Sequence, residues 1–146
     1  MRRVIGVDYG RKRVGLAMSD PLGMTARPLE VVPRSLAVDR VAQLAEEHEV
    51  DTIVVGLPRP LGGGDSDSAR LARELGDQIQ SATGVEVVFV DERYTSKIAE
   101  ESLLEAGVRR RSRRITVDKV AAAIILQGYL DGNSRRSGDV KGTGAR

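Results

Sequence analysis

The stretch VIGVDYG (residues 4–10) ends an apolar strand with an aspartate that stands between two glycines. Glycine lets the backbone turn tightly and lets a phosphate or a metal ion approach closely. A carboxylate at the edge of a packed core loses hydration, so it needs a cation, hydrogen bonds or a proton. The alternative is an aspartate that only caps a hairpin turn. Because Asp8 comes before the turn, we expect it to have a functional role.

Two other carboxylates occupy comparable positions. The stretch VEVVFVDE (residues 85–92) ends a second strand with an acidic pair, and Asp118 opens the most hydrophobic helix of the chain. Strand alternation sends Asp91 and Glu92 to opposite faces of a sheet, so only one of them can face a shared site, and we favour Glu92. An acidic residue in the first turn of a helix is also stabilised by the helix dipole, which is the alternative reading of Asp118.

Three carboxylates brought together repel one another, and a bound divalent cation is the commonest remedy. The chain has no cysteine and one histidine, His48, so a thiolate or multi-histidine metal site is excluded. Oxygen ligands favour Mg²⁺ or Mn²⁺. The sequence therefore predicts a metal-dependent enzyme of phosphoryl chemistry, with Asp8, Glu92 and Asp118 as both metal ligands and catalytic residues.

The pattern of apolar residues predicts an α/β fold. Strands at residues 3–9, 14–19 and 28–32 form an antiparallel meander, and two more strands at 52–56 and 85–91 are each reached through a helix. The element order βββαβαβαα then implies a mixed five-stranded sheet flanked by helices, with strands four and five parallel to strand one. Sites form at the carboxyl ends of parallel strands, where Asp8 and the acidic pair both lie.

The predicted helices bury one face each, except the last. The first begins at Ser35 as N-cap and buries Leu36 with later apolar residues. A helix over residues 116–131 is apolar nearly all round, so it should be buried against the sheet. We expect residues 1–132 to form one domain and residues 133–146 to be a disordered basic tail.

Charge is distributed unevenly along the 146 residues. Residues 1–108 carry 13 basic and 18 acidic side chains, whereas residues 109–146 carry 10 basic and 3 acidic ones. Clustered arginines point to a polyanion such as nucleic acid, although a solvated loop is the alternative. The side chains expected to contact nucleic acid are Arg11, Lys12, Arg13, Arg93, Tyr94, Arg109, Arg110, Arg111, Arg113, Arg114 and Lys119.

The aromatic residues are too few for an extended base-stacking platform. Tyr9 and Tyr94 flank the expected site, so each could stack a single base. No apolar run reaches the length of a membrane span, and no signal-peptide pattern is present at the N-terminus. We therefore expect a cytoplasmic protein with no membrane partner.

Four blocks of the chain closely resemble the YqgF family, also called RuvX. They are GxDxGxxRxGxAxSD (residues 6–20), VGLP (55–58), DERxT (91–95) and DKxAA with ILQ (118–122 and 125–127). The resemblance implies an RNase H-like fold over roughly residues 3–131. It also matches Asp8, Glu92 and Asp118 to the acidic active-site positions of the family. Ala121 stands where RuvC-type resolvases often carry another acid.

Family members are described as nucleases that mature the 5′ end of pre-16S rRNA and as Holliday-junction resolvases. The resemblance implies a hydrolase acting on structured RNA or branched DNA. We favour pre-rRNA, because a junction resolvase normally needs two sites on a two-fold dimer. No dimer surface is evident in the sequence, so a monomer or weak homodimer is expected. A nucleic-acid-binding module without catalysis and an actin-like ATPase or sugar kinase are the alternatives.

Overall fold

The fold was analysed in a computed structural model, which describes residues 3–58, 67–91 and 120–132. Its strands and helices follow the expected order. They are β1 (Arg3–Asp8), β2 (Arg13–Ser19), β3 (Ala26–Pro33), a 3-10 turn (Arg34–Leu36), α1 (Ala37–Glu47), β4 (Val50–Leu57), α2 (Asp67–Thr83), β5 (Glu86–Asp91) and a helical segment over 120–132, here called α3.

The sheet has the strand order β3-β2-β1-β4-β5. β2 pairs antiparallel with both β1 and β3, and β4 pairs parallel with both β1 and β5. The predicted mixed five-stranded sheet is therefore confirmed, including its antiparallel meander and its parallel half. The carboxyl ends of β1, β3, β4 and β5 all lie along one edge, here called the carboxyl edge.

Alternate residues of β1 enter two different cores. Ile5 and Val7 pack with the buried faces of α1 and α2, whereas Val4 packs with α3 on the other side of the sheet. Asp8 follows Val4 by an even number of residues along the strand, so its side chain points to the same face, which α3 covers. Both faces of β1 are covered by helices, which explains why its sequence is continuously apolar rather than alternating.

The start of the first helix differs from the prediction. Ser35 does not cap it: α1 begins at Ala37 after the 3-10 turn, and its N-cap, Leu36, makes no side-chain capping hydrogen bond. Leu36 was expected on the buried face but is 53% exposed, and Ala37 is buried instead. A 3-10 turn has about three residues per turn, so it shifts the phase of the following helix.

β3 forms one edge of the sheet and is tied to α1 by a two-point ion pair. Arg40 of α1 donates from Nε to Oε2 of Glu30 at 3.0 Å and from Nη2 to Oε1 at 2.7 Å. The hydrogen bonds that Arg40 donates to Glu30 raise the pKa of Arg40. β3 also contains Pro28 and Pro33, whose nitrogens carry no hydrogen to donate across the open edge.

The last predicted helix is described only over residues 120–132. Its buried side chains are Ala121, Ala122, Ile125, Leu126 and Leu130, which lie against the sheet as expected. Gly128 and Asp131 are exposed, so the helix has an open side that its apolar sequence did not suggest. No helix among the described residues is long and apolar enough to cross a membrane. The predicted helix between strand five and the last helix lies outside the described residues, as does the tail at 133–146.

Candidate functional site

Asp8 is the last residue of β1 and lies on the carboxyl edge. It is only 8% exposed, and its register neighbours are Gly15 on β2 and Gly56 on β4. Neither neighbouring strand therefore places a side chain beside it. A carboxylate that is desolvated yet has glycine on both flanks has space for an ion or a phosphate close to the backbone.

Asp91 ends β5 on the same carboxyl edge, in register with Leu57 of β4. Val87 and Phe89 pack against the core of α1 and α2, whereas Val90 packs with the α3 core. Alternation thus assigns Asp91 to the face opposite Asp8. Asp91 nevertheless borders a cavity that residues of α3 also line, among them Ile124 and Ile125. The choice of Glu92 over Asp91 therefore stays a prediction, and Glu92 lies outside the described residues.

α3 runs antiparallel to β1. Ala122 and Leu126 lie over Gly6, and Leu130 packs in the same cluster as Val4, nearer the start of the strand. The later Gln127 reaches the turn before β3, where its Oε1 accepts from the Ala26 N–H at 2.9 Å. The beginning of α3 is therefore the end that lies towards Asp8. Asp118 and Lys119, just before this point in sequence, lie outside the described residues.

A basic turn joins β1 to β2 on the carboxyl edge. Arg11 and Lys12 are exposed there, and Arg13 is half-buried at the start of β2. Gly10 is required for this turn, because a Cβ at that position would collide with the carbonyl oxygen of Arg13. The structure therefore brings three predicted phosphate-binding side chains to the edge that carries Asp8.

Arg34 is a basic residue at the same edge that sequence reasoning missed. Its backbone N–H donates to the carbonyl oxygen of Lys12 at 3.0 Å, which joins the end of β3 to the basic turn. The usable signal was an arginine directly after Pro33, a strand-ending proline. The helix predicted to begin at Ser35 hides this signal.

The expectation that Tyr9 stacks on a base at the Asp8 site is wrong. Tyr9 is only 7% exposed and packs in the core formed by α1 and α2, on the other face of the sheet from Asp8. Its position next to Asp8 in sequence guarantees this separation, since neighbouring strand residues point to opposite faces.

Of the three predicted metal ligands, only Asp8 is within the part of the chain that the structure describes. Among these described residues, no three histidine, aspartate or glutamate side chains are grouped so as to hold a metal ion. The predicted nucleic-acid-binding residues that fall outside the described ranges are Arg93, Tyr94, Arg109, Arg110, Arg111, Arg113, Arg114 and Lys119.

A family model described as "RuvX: Holliday junction resolvase" matches residues 2–132. The chain belongs to the RuvX family. A protein of Lactococcus lactis subsp. cremoris (strain MG1363), named "Putative pre-16S rRNA nuclease", is 40% identical to this RuvX chain over 137 residues, covering 90% of this chain and 96% of that protein. A protein of the same name from Agathobacter rectalis is also 40% identical, over 91% of this chain and 99% of its own length.

Two of the solved structures that share the fold of this chain are junction resolvases. RuvC of T. thermophilus in complex with a Holliday junction substrate superposes with a TM-score of 0.55 at 19% identity, covering 92% of this RuvX chain and 96% of that one. The yeast mitochondrial Holliday junction resolvase Ydc2 gives a TM-score of 0.53 at 13% identity, over 88% and 78% of the two chains. The RNase H-like fold expected from the sequence is thereby confirmed.

Proposed function

We propose that this RuvX-family chain is a divalent-metal-dependent nuclease that hydrolyses phosphodiester bonds in structured nucleic acid, with the 5′ end of pre-16S rRNA as its substrate. The observation that carries the proposal is the buried carboxylate of Asp8 on the carboxyl edge, flanked by Gly15 and Gly56. The names of the relatives that are about 40% identical support the substrate.

Asp8, Glu92 and Asp118 are the proposed ligands of Mg²⁺ or Mn²⁺. Glu92 follows Val90 by two residues, and Val90 packs on the α3 face, so we favour Glu92 over Asp91 as the second ligand. Asp118 precedes Ala122 by four residues in the sequence, and Ala122 lies over Gly6 of β1. Hard oxygen ligands in this number suit either cation.

When bound, the cation would supply an activated water and stabilise the charge that develops on the scissile phosphate. The Asp8 carboxyl group is held in a nearly buried position, where its interaction with a cation is less screened by water. The chain's other task is to place the phosphodiester. Arg11, Lys12 and Arg13 are proposed to contact flanking phosphates, which fixes the register of the substrate without reading its sequence.

A junction resolvase is the second candidate, because the family description and the shared fold with RuvC both favour it. Resolution of a four-way junction requires paired incisions, and a two-fold dimer provides two sites for them. A monomer or weak homodimer is proposed here, and this favours the rRNA precursor. Parallel cleavage assays on a four-way DNA junction and a 16S precursor 5′ leader would separate the two candidates.

The test of the nuclease proposal compares Asp8→Asn with wild type in Mn²⁺, measuring both cleavage and binding of the precursor RNA. The amide keeps the volume of Asp8 but removes its charge, so cleavage should be lost while binding is retained. Asp51→Asn is the matched control, because Asp51 is an exposed aspartate near the start of β4, at the opposite edge of the sheet. Equal cleavage by wild type and Asp8→Asn would overturn the proposal.

A further inference from the structure

Arg34 lies at the carboxyl edge, directly after the last residue of β3, and is exposed. Its backbone N–H donates to the carbonyl oxygen of Lys12 at 3.0 Å. The main chain of Arg34, and not its side chain, therefore joins this position to the basic turn. The position of the guanidinium group beside the basic turn is set by the backbone, and its five N–H donors are not needed to hold the fold together.

The side chain of Arg34 forms no ion pair or hydrogen bond with the part of the chain that the structure describes. Acidic residues on the neighbouring helices are Asp39 of α1 and Glu74 of α2. Glu74 lines a cavity together with Arg34, but its Oε1 accepts from Nη1 of Arg70 at 3.0 Å. The positive charge of Arg34 is thus left to attract an anion from solvent.

Charge differs between the two halves of the carboxyl edge. The half formed by β1, β2 and β3 carries Arg34 and the three basic residues of the basic turn. At the β5 end, the last residue that the structure describes is the exposed Asp91. Within the described ranges, a polyanion at this edge is therefore attracted to the β3 half and repelled by the β5 end.

The opposite edge of the sheet repels a polyanion over most of its width. Carboxylates there are exposed at the end of α1 and at the starts of β4 and β5, whereas the described arginines are Arg3 and Arg27. The acidic residues are Glu46, Glu47, Glu49, Asp51 and Glu86. This charge distribution turns the carboxyl edge towards nucleic acid during approach.

The order of the strands gives the distance from Asp8 to Arg34 along the edge. Asp8 ends β1, and Arg34 follows β3, which is two strands away. Two strand spacings amount to about 10 Å. Successive phosphates of one strand advance about 3.4 Å along a duplex axis, so this distance corresponds to about three nucleotides.

Arg34 also begins the link from β3 to α1, on the face of the sheet opposite the Asp8 side chain. A strand that contacts both must therefore cross the carboxyl edge, over the basic turn. Arg34 is too far along this path to touch the scissile phosphate.

We propose that Arg34 binds a backbone phosphate of the nucleic-acid substrate, on the same side of the scissile bond as the phosphates held by the basic turn. The inference rests on the proposed nuclease function and deepens it, because it gives the direction in which the strand leaves Asp8: across the carboxyl edge towards β3. An arginine–phosphate contact reads no base, so it fixes the register of the cut without selecting a sequence.

The experiment measures RNA binding in a double-mutant cycle. The probe is a 16S precursor 5′ leader, either intact or with one backbone linkage at a time replaced by an uncharged methylphosphonate. The protein carries Asp8→Asn to prevent cleavage, and the cut is mapped separately with wild type in Mn²⁺. Arg34→Ala is compared with Arg34→Lys, which keeps the charge, and with Lys12→Ala. Arg27→Ala is the matched control, because Arg27 is exposed near the start of the same strand, at the opposite edge.

Arg34→Ala should weaken binding of intact RNA roughly fivefold and make the slope of log K against log salt less steep by about 0.7 for a single strand. Arg34→Lys should keep that slope, and Arg27→Ala should match the background protein. One neutral linkage, within about three nucleotides of the cut, should weaken binding of the background protein and add nothing to Arg34→Ala. The backbone donor of residue 34 remains in every variant, so circular dichroism should show the same fold.

Equal effects of every neutral linkage on Arg34→Ala and on the background protein would overturn the phosphate contact, as would a loss in Arg34→Lys equal to that in Arg34→Ala. Coupling of Arg34 and Lys12 to linkages on opposite sides of the cut would overturn the path. Cleavage that depends on Asp8 without Arg34 coupling would overturn this inference alone. Coupling at one linkage in a protein that never cleaves would overturn the nuclease alone, and absence of RNA binding would overturn both.

Discussion

Gly6 of β1 lies directly against Leu126 of α3: a Cβ at position 6 would come within 2.8 Å of the Leu126 Cβ and 2.9 Å of the Ala122 carbonyl oxygen. The helix can approach the central strand this closely only because position 6 has no side chain. Gly6 precedes Asp8 by two residues on the same face. The contact therefore sets the distance between α3 and the strand that carries the proposed catalytic aspartate.

Substituting Gly6 with alanine should destabilise the fold. The added methyl must displace α3 backbone and a fully buried leucine, and overpacking of this kind costs about 1–3 kcal/mol. Gly128→Ala, in the same helix, meets nothing within 4 Å and should instead stabilise by up to about 1 kcal/mol. Urea unfolding monitored by circular dichroism measures both. A Gly6→Ala protein as stable as wild type would contradict the close approach.

Gln127 should contribute more to stability than an ordinary polar residue on a helix. Its Oε1 accepts from the Ala26 N–H, and its Nε2 donates to the Met24 carbonyl oxygen at 3.0 Å, so one side chain ties α3 to the β2–β3 turn. Gln127→Ala should cost about 1–3 kcal/mol, because it leaves a part-buried donor without its partner.

Gln43→Ala is the matched control for Gln127→Ala. Gln43 accepts a hydrogen bond from Arg40 on the exposed side of α1, where water can replace it. Its loss should change the free energy of unfolding by no more than about 0.5 kcal/mol. Similar losses for the two glutamine variants would show that the link from α3 to the turn is not important for stability.

The basic turn should contribute to binding through charge alone. Arg11→Ala combined with Lys12→Ala should weaken binding of every nucleic acid tested by a similar factor. The slope of log K against log salt should become less steep by about 0.9 for each lost contact with duplex phosphate. Arg27→Ala is the control, since Arg27 is exposed on β3 near its start, away from the carboxyl edge. If the double substitution leaves the slope unchanged, Arg11 and Lys12 do not contact phosphates.

Asp20 should make stability depend on pH in the acidic range. Hydrogen bonds from the backbone N–H groups of Thr25 and Met24 lower the pKa of Asp20 from its ordinary 3.8. A folded pKa below the unfolded one gives stability that is present above about pH 3.8 and lost as the pH falls through the folded value.

Thermal unfolding of wild type and Asp20→Ala from pH 7 to pH 2 tests this linkage. Asp20→Ala should melt at a lower temperature at pH 7, and the difference should shrink below pH 3.8. Asp20→Asn keeps an acceptor oxygen but cannot titrate, so it should lack this component of the pH dependence. If the difference in melting temperature between wild type and Asp20→Ala stays constant from pH 7 to pH 2, Asp20 does not contribute to the pH dependence of stability.

Tyr9→Phe should stabilise the nucleic-acid-free protein. The substitution removes a buried hydroxyl that has no partner among the described residues and keeps the packing of the ring. The gain should be on the order of 1 kcal/mol in the free energy of unfolding. Tyr129→Phe, a half-buried tyrosine on α3, is the control and should bring no gain. A loss of stability in Tyr9→Phe would mean that the hydroxyl is satisfied in solution.

Residue patterns predicted the sheet well because its signals are strong. Both faces of β1 and β4 are buried, so their sequences read as continuous apolar runs, and two helical crossovers dictate parallel pairing. Asp8 could be located because it ends such a run. The phase of α1 could not be predicted, since a 3-10 turn at Arg34–Leu36 leaves no clear trace in composition.

The sequence predicts which residues reach the site only where the order of the elements and the alternation of side chains along a strand determine their positions. Strand alternation removes Tyr9 from the Asp8 site, although Tyr9 is adjacent to Asp8 in the sequence. A cavity lined by Tyr9 and by residues of α1 and α2 depends on how these two helices pack on the sheet. Packing of this kind joins side chains far apart in the chain, such as Ser35 and Gln78, and no local pattern reports it.

The two prolines of β3 affect the tendency of this protein to aggregate at high concentration. An open strand edge recruits other chains through its unsatisfied amide hydrogens, and such recruitment begins aggregates. Pro28 and Pro33 interrupt the row of amide donors on this strand, which hinders an incoming strand from docking in register. The missing amide hydrogens of these two prolines thus protect the β3 edge of the sheet against pairing with strands of other chains.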